Sequence, residues 1–414
     1  MPNATSPNTI ETMARTARQA ARTLAAAPGD VREQAIAAMA DRLHRVRPEV
    51  LNANGADVED ARKAGLPAPF LKRLEVTEKT LDYMDTRLRE VAALPDPVGR
   101  ILEGHTGSTG LQVQRVSVPL GVIAMIYEAR PNVTTDAAAV GMKSGNAVIL
   151  RGGSEALRTN RVLADAMIRA VTSAGLPEAC VQIVRTADRQ AVHDLLQLDR
   201  WVDVLIPRGG KSLIERVTAE SRIPVIKHYD GICHLYLAAD APTGKAVDLA
   251  VNSKCQRVEV CNALETLLVD AAAADRLLPA LGSAFADAGV ELRGCPVTRQ
   301  HLPDAVPATE EDWATEYLAP VLAVRVVDGL TEAADHIAEY GSAHTDGIVT
   351  EKLDLARQFV AAVDSASVLV NASTRLSGGG AYGLGAVVGI STDKLHARGP
   401  VGPAHLTTYK WVAI

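Results

Sequence analysis

In VREQAIAAMADRLHRV the apolar Ile36, Met39, Leu43 and Val46 recur every three or four positions, and that spacing predicts an amphipathic helix. The first hundred residues read as several helices of this kind. After them the rhythm changes. GVIAMIY (121–127), NAVIL (146–150), VQIV (181–184), DVLI (203–206) and PVI (224–226) are short β-rich runs, separated by helical stretches such as SEALRTNRVLADAMIRAVTSAG. The alternation predicts a parallel sheet joined by right-handed crossovers. A second series begins near residue 236, with ETLLVD, VELRG, APVLAVRVV, DGIVT and SVLVNA as strands and AAADRLLPALGSAFADAG and LDLARQFVAAV as helices. Two α/β lobes with a cleft between them are expected. There is no internal repeat and no low-complexity linker.

Composition narrows the function. A chain of 414 residues, 47% hydrophobic, can bury a large core and is no small stapled scaffold. The balance of 43 basic against 49 acidic residues gives a net charge of −6, without a dense basic block and with few aromatics, so nucleic acid is excluded as a partner. The opening MPNATSPNTIETMARTARQAARTL lacks a basic start followed by an apolar core, and no later apolar run reaches about 18 residues. A soluble cytoplasmic protein is expected. The five cysteines (Cys180, Cys233, Cys255, Cys261, Cys295) form no CxxC pair and no His/Cys ladder, so neither a metal site nor a disulfide framework is expected.

Two turns in the first lobe suit phosphate. ILRGGSEA leaves a strand through Gly152 and Gly153 and enters a helix at Ser154, a good cap residue, so free N–H groups and a positive helix end would face an anion, with Arg151 as an added cation. LIPRGGKSLIERV repeats the arrangement with Gly209 and Gly210. Neither matches the dinucleotide or Walker fingerprint, and one glycine pair alone marks only a turn. Two at the ends of parallel strands make a candidate nucleotide site.

A third stretch, VEVCNALETLLVD (258–270), sets Cys261 and Asn262 at the mouth of a run otherwise suited to burial. Alone, Cys261 reads first as a small buried apolar residue, and singling it out needs independent support. The wider sequence adds VPLGVIAMIYEARPNVTTDAAA, KSGNAVILRGGSEAL, DVLIPRGGKSLI, PVIKHYDGICHLYL, CNALETLLV, YGSAHTDGIVT, VNASTR, LHARGPVG and LTTYKWV. With these motifs the chain resembles the γ-glutamyl phosphate reductase family, or glutamate-5-semialdehyde dehydrogenases, of the aldehyde dehydrogenase superfamily.

The resemblance implies an enzyme of proline biosynthesis in which Cys261 is the nucleophile: it attacks an acyl phosphate, expels phosphate, and the thioester is reduced to an aldehyde. A thiolate is well suited to acyl carbon, and Asn262 with neighbouring N–H groups can polarise the carbonyl. Cys255 has no family role and reads as structural. Asn132, in RPNVT, is read either as the side-chain oxyanion donor or as a turn residue after Pro131. Arg130 in the same segment, His228 and Asn262 are the substrate-side candidates. His228 stands where hydrolytic relatives carry the water-activating Glu of ELGGK; it contacts phosphate or is structural. Ser154 and Arg151 in place of a ribose-binding carboxylate favour NADPH. Glu316 of TEYLAPVL resembles the superfamily glutamate that accepts from the nicotinamide ribose, with Leu318 and Ala319 replacing the usual Phe and Gly.

The departures bear on substrate. The family's acidic loop after VNASTR reads LSGGGAYGLGAV here, so Gly378, Ala381 and Val387 stand where acids are usual. GHTGSTGLQV also departs from the family's Pro-Asn-Gly-Leu. Three readings stand: an NADPH-dependent reductase of L-glutamyl 5-phosphate, a paralogue acting on a related acyl phosphate or aldehyde, and a weakly active partner of glutamate 5-kinase. The expected fold is α/β and aldehyde-dehydrogenase-like. It has a helical N-terminus and doubly wound cofactor domain (1–236) carrying a β-arm near 111–119, a smaller α/β catalytic domain (237–393) and a C-terminal oligomerisation segment (394–414). The arm strands LQVQRVSV and HLTTYKWVAI, without obvious partners in either lobe, point to a homodimer or a dimer of dimers.

Overall fold

The structure, a computed structural model, describes residues 7–414, so the part of the expected helical N-terminus before Pro7 lies outside the described residues. The chain forms two compact units, one running to Lys227 and taking up Gly383–Ile414, the other spanning His228–Tyr382.

In the first unit five helices (Pro7–Ala26, Gly29–Arg45, Arg47–Lys63, Ala68–Leu74, Glu78–Ala93) precede the sheet. Ile36, Met39 and Leu43 are buried, and Val46 caps the end of its helix and packs on the same core. Four parallel strands follow in the spatial order Val181–Ile183, Ala147–Gly152, Val122–Tyr127, Val204–Arg208. Strand Val122–Tyr127 is buried at every position because helices cover both faces. Ile123, Met125 and Tyr127 enter one hydrophobic cluster, while Val122, Ala124 and Ile126 enter another. The expected strand at 224–226 is only a single parallel bridge, Leu205 to Val225. From Val122–Tyr127 the chain winds first to one side and then returns to the other, so the order reverses at this strand. In such sheets the crevice beyond the carboxyl ends at the reversal is where ligands bind.

The two segments expected to form an arm lie, with Ile101–Thr106, in an antiparallel sheet of Ile101–Thr106, Gln112–Pro119 and Thr407–Ala413, with Gln112–Pro119 in the middle. Its strands therefore pair with one another. Ile101, Leu102, Tyr409 and Trp411 are exposed on it.

The second unit is a seven-stranded, wholly parallel sheet in the order Val306–Pro307, Glu291–Gly294, Val321–Val327, Leu264–Asp270, Cys233–Leu237, Thr345–Val349, Ser367–Val370. Leu235, Leu237, Leu264, Leu267 and Val269 pack in one cluster with helix Ala274–Asp287, and Tyr236, Leu268 and Ile348 pack in another with Phe359. The boundary expected at 236/237 would cut strand Cys233–Leu237. Its five residues are all buried, and it lies between two strands of this sheet, so the chain divides before it, after Lys227. The second division likewise falls at 382/383 rather than 393/394.

Candidate functional site

Cys261 lies in the turn between helix Thr243–Cys255 and strand Leu264–Asp270. That strand neighbours Cys233–Leu237, which neighbours Thr345–Val349. The segments leading into these three strands carry Cys261, His228–Ile232 and His344, so adjacent parallel strands place them together at their amino ends. Gly231 makes the approach possible, since a Cβ there would run into the carbonyl of Cys261. The Gly231 N–H donates to Glu316 Oε1 at 2.9 Å, the Ile232 N–H to Ser342 Oγ at 2.9 Å, and the Cys233 thiol to the Cys261 carbonyl at 3.2 Å.

A polar chain supports this cluster. Asn262 donates through Nδ2 to the carbonyls of Ser377 at 2.8 Å and Arg375 at 3.4 Å. These two bonds, one of them long, hold the side-chain amide on the 375–377 segment. The Thr345 hydroxyl donates to Ser377 Oγ at 2.8 Å, so toward His344 Nδ1, also at 2.8 Å, it acts as acceptor. This fixes the Nδ1–H tautomer of His344, which is buried, and burial pulls its pKa down to about 4. The rings of His228 and His344 meet edge-on, with centroids 5.4 Å apart.

Charge around the thiol comes from arginine. Burial and then the neighbouring Arg257 pull half-buried Arg375 below the ordinary guanidinium range, while Cys261 and Cys233 act in the opposite sense. Behind Glu316, Leu318 holds φ at +51° and its N–H donates to Glu265 Oε1 at 3.2 Å. Glu265 in turn pairs with fully buried Lys254 at 2.5 Å, and burial pushes the acid up and the ammonium down. The other thiols have structural surroundings. Burial pushes Cys180 up to about 12 and holds the Cys233 thiol well above its ordinary value, and half-buried Cys255 is also raised by burial, whereas Cys295 accepts N–H bonds from Thr298 and Val326.

In the first unit a cavity of about 400 Å³ opens beyond the carboxyl ends of the strands at the reversal point. Arg151, Gly153, Ser154, Arg189, Arg216 and Glu128 are among its lining residues. Ser154 is exposed and opens a 3-10 turn, with Gly153 in the cap position and no side-chain cap bond, so it does not cap the helix as expected. A side chain on Gly152 would meet Asn160 and Tyr127, one on Gly153 the carboxylate of Glu155, and one on Gly209 that of Glu128, whereas Gly210 faces open space. Burial pulls Arg151 below its ordinary value, with Arg189 adding to the shift and Glu155 and Glu128 opposing it. Both carboxylates also serve the backbone: Glu155 Oε1 accepts from the Ala129 N–H at 2.7 Å, and Glu128 Oε2 from the Gly210 N–H at 3.1 Å. Mixed charge, two glycine turns and a helix end at Lys211 fit a dinucleotide.

Arg130 is half-buried, immediately after Ala129, whose φ is +40°. Asn132 begins helix Asn132–Lys143 and donates to Asp136 Oδ2 at 3.0 Å. Sequence reasoning passed over Cys233, His344, Arg375, Glu128 and Glu155. His344 lies in a motif already noted, YGSAHTDGIVT, but nothing local marks it as a neighbour of Cys261.

Residues 1–293 match the aldehyde dehydrogenase family. The chain belongs to that family. Like its other members, this aldehyde dehydrogenase homologue is an oxidoreductase that works with a nicotinamide dinucleotide. It is 41% identical to γ-glutamyl phosphate reductase from Thermotoga maritima over 98% of each chain, with a TM-score of 0.94. It is also similar to γ-glutamyl phosphate reductase from Saccharomyces cerevisiae, at 29% identity over 98% of this chain and 96% of that one, with a TM-score of 0.54. An acetylating aldehyde dehydrogenase from Geobacillus thermoglucosidasius shares the fold, at 19% identity over 99% of this chain and 96% of that one and a TM-score of 0.69. Among the described residues no helix is long and apolar enough to cross a membrane.

Proposed function

We propose that the protein reduces L-glutamyl 5-phosphate to L-glutamate 5-semialdehyde and phosphate in proline biosynthesis, with NADPH as the preferred nucleotide. The observation that carries this reading is the 41% identity across 98% of both chains to a γ-glutamyl phosphate reductase. Cys261 attacks the acyl carbon; a C–S bond forms, the bond to phosphate breaks, and phosphate leaves. When bound, the nicotinamide supplies one hydride to the thioester carbon. Return of the thiolate then releases the aldehyde, and one proton is taken up overall. Arg375 is a cation whose charge is coupled to Cys261 and would favour its thiolate. Asn132 is the proposed side-chain donor to the developing oxyanion, with Arg130 and His228 toward the phosphate. His228 stands where hydrolytic relatives carry their carboxylate base. Arg151, Gly152, Gly153, Ser154, Gly209 and Gly210 hold the nucleotide, and Glu316 its nicotinamide ribose.

The loop at 376–387 supports a second reading, the same chemistry on a related acyl phosphate or aldehyde, because Gly378 and Ala381 offer no carboxylate to an ammonium group. The exposed arm supports pairing with a second copy of this chain, as a homodimer or dimer of dimers.

The test of the reaction is Cys261→Ala, assayed as phosphate-dependent oxidation of glutamate 5-semialdehyde with NADP. Turnover is expected to vanish while NADPH binding, followed by nucleotide fluorescence, stays within about twofold. Appreciable turnover in that variant would sink the thioester route.

A further inference from the structure

His228, Cys261 and His344 come from three separate segments, yet an imidazole nitrogen of each histidine and the sulfur of Cys261 all lie within 4.8 Å of one another. We propose that these residues form a site for a soft divalent cation, zinc above all, and that its occupancy blocks the enzyme reversibly. The block rests on Cys261 as the nucleophile; the site itself does not.

The donor set decides the metal class. One thiolate and two neutral imidazoles match zinc and exclude magnesium or calcium, which take oxygen ligands. His344 is preorganised for the task. Its Nδ1–H is spent on Thr345 Oγ1, whose own hydroxyl is anchored on Ser377, and a bond of this kind fixes a metal-binding histidine. The lone pair is left on Nε2, which is buried and has no hydrogen-bond partner, in a residue only 1% exposed. Tetrahedral zinc, at about 2.3 Å from sulfur and 2.0–2.1 Å from nitrogen, sets its donors roughly 3.3–3.7 Å apart. Closure therefore asks for about 1 Å of movement from donors now as far as 4.8 Å apart. His228 and Cys261, both only half-buried and both in irregular segments, can supply it. Binding exchanges the thiol proton for the metal: the S–H bond breaks, a zinc–sulfur bond forms, and a proton is released to solvent. Three protein ligands leave the fourth position for water or an anion, and Arg375, with Arg257 beside it, favours the anion.

The experiment titrates the full chain with cobalt(II) as a spectroscopic stand-in, then with zinc. A sulfur-to-cobalt charge-transfer band with tetrahedral visible bands is expected, saturating at one ion per chain and displaced by zinc. It should be lost in Cys261→Ser and weakened at least about tenfold in His344→Gln and in His228→Asn. In the unmodified enzyme zinc should inhibit, and a chelator should restore full activity. No thiolate band at saturating cobalt overturns the proposal, and so does zinc inhibition of undiminished potency in both histidine variants. The readings separate cleanly. The band together with turnover in Cys261→Ala keeps the metal site and removes the nucleophile, whereas an inactive Cys261→Ala without any band in the unmodified chain does the reverse.

Discussion

Ala129, Leu318 and Ala343 all hold positive φ, at +40°, +51° and +56°, and each adjoins a residue of interest: Glu128 and Arg130, the turn after Glu316, and His344. A non-glycine residue in that region costs roughly 1–2 kcal/mol and persists where surrounding bonds over-determine it. At Ala129 the fixing bond is the one from its N–H to Glu155. That carboxylate is thus partly satisfied within the cavity, and the added charge of a substitution at Ser154 can be read against it. Ser154 is exposed and makes no cap bond, so Ser154→Glu brings in a carboxylate without breaking the helix. If the nucleotide 2′-phosphate sits beside Arg151 and Ser154, NADPH use should weaken by about 1–3 kcal/mol, or about 5- to 160-fold, with NADH use little changed. Measuring kcat/KM with both nucleotides checks it. An unchanged ratio would mean the ribose lies elsewhere.

At the scale of elements, alternating strand and helix patterns located Val122–Tyr127, Ala147–Gly152, Leu264–Asp270 and Val321–Val327 because buried parallel strands are continuous apolar runs. Ile101–Thr106 escaped notice for the opposite reason: all six residues are exposed, and a strand without a buried face carries no pattern. Cys233–Leu237 was hidden by a boundary drawn through it. The thiol turn was legible, but its neighbours were not. His344 and Arg375 reach Cys261 through sheet order and a returning loop, neither of which local spacing encodes. The same loop carries an argument about substrate. Asn262 ties Ser377 to the thiol turn, and a side chain added at adjacent Gly378 meets nothing within 4 Å. Gly378→Asp therefore has room for its Cβ, and Ala381, the site of the second change to Glu, is exposed. The unmodified enzyme should show a high KM for glutamate 5-semialdehyde and little preference over an aldehyde lacking the amino group. The double variant should gain preference by about tenfold per partly buried charge pair, and less if solvent screens it. Strong preference in the unmodified enzyme would show that the ammonium is held elsewhere.

At the scale of the whole molecule the two units should respond to acid in opposite directions. In the first, burial raises Asp136 to about 6 despite the Asn132 bond and the charges of Arg87 and Arg208. An acid with a raised folded pKa binds more protons folded than unfolded, so its contribution improves as pH falls through 6 toward the unfolded value near 4. In the second unit, burial together with His234 and Arg325 lowers His336 to about 3, and its ring packs against Trp313 and Tyr340. A base with a lowered folded pKa binds fewer protons folded, so stability is complete above about 6.5 and declines as pH falls toward 3. Between pH 7 and 5 these shifts amount to a gain of about 1 kcal/mol for Asp136 and a loss of about 2 kcal/mol for His336. Amide hydrogen exchange of the full chain, resolved by unit and corrected for intrinsic pH dependence, should show protection falling in His228–Tyr382 while the other unit holds or gains. Asp136→Asn should diminish the first response and His336→Gln the second, in which buried His344 acts in the same sense as His336 and Glu265 opposes both, each substitution leaving the other unit unchanged. Parallel loss of protection in both units, unaltered by either substitution, would mean that the acid response comes from other groups.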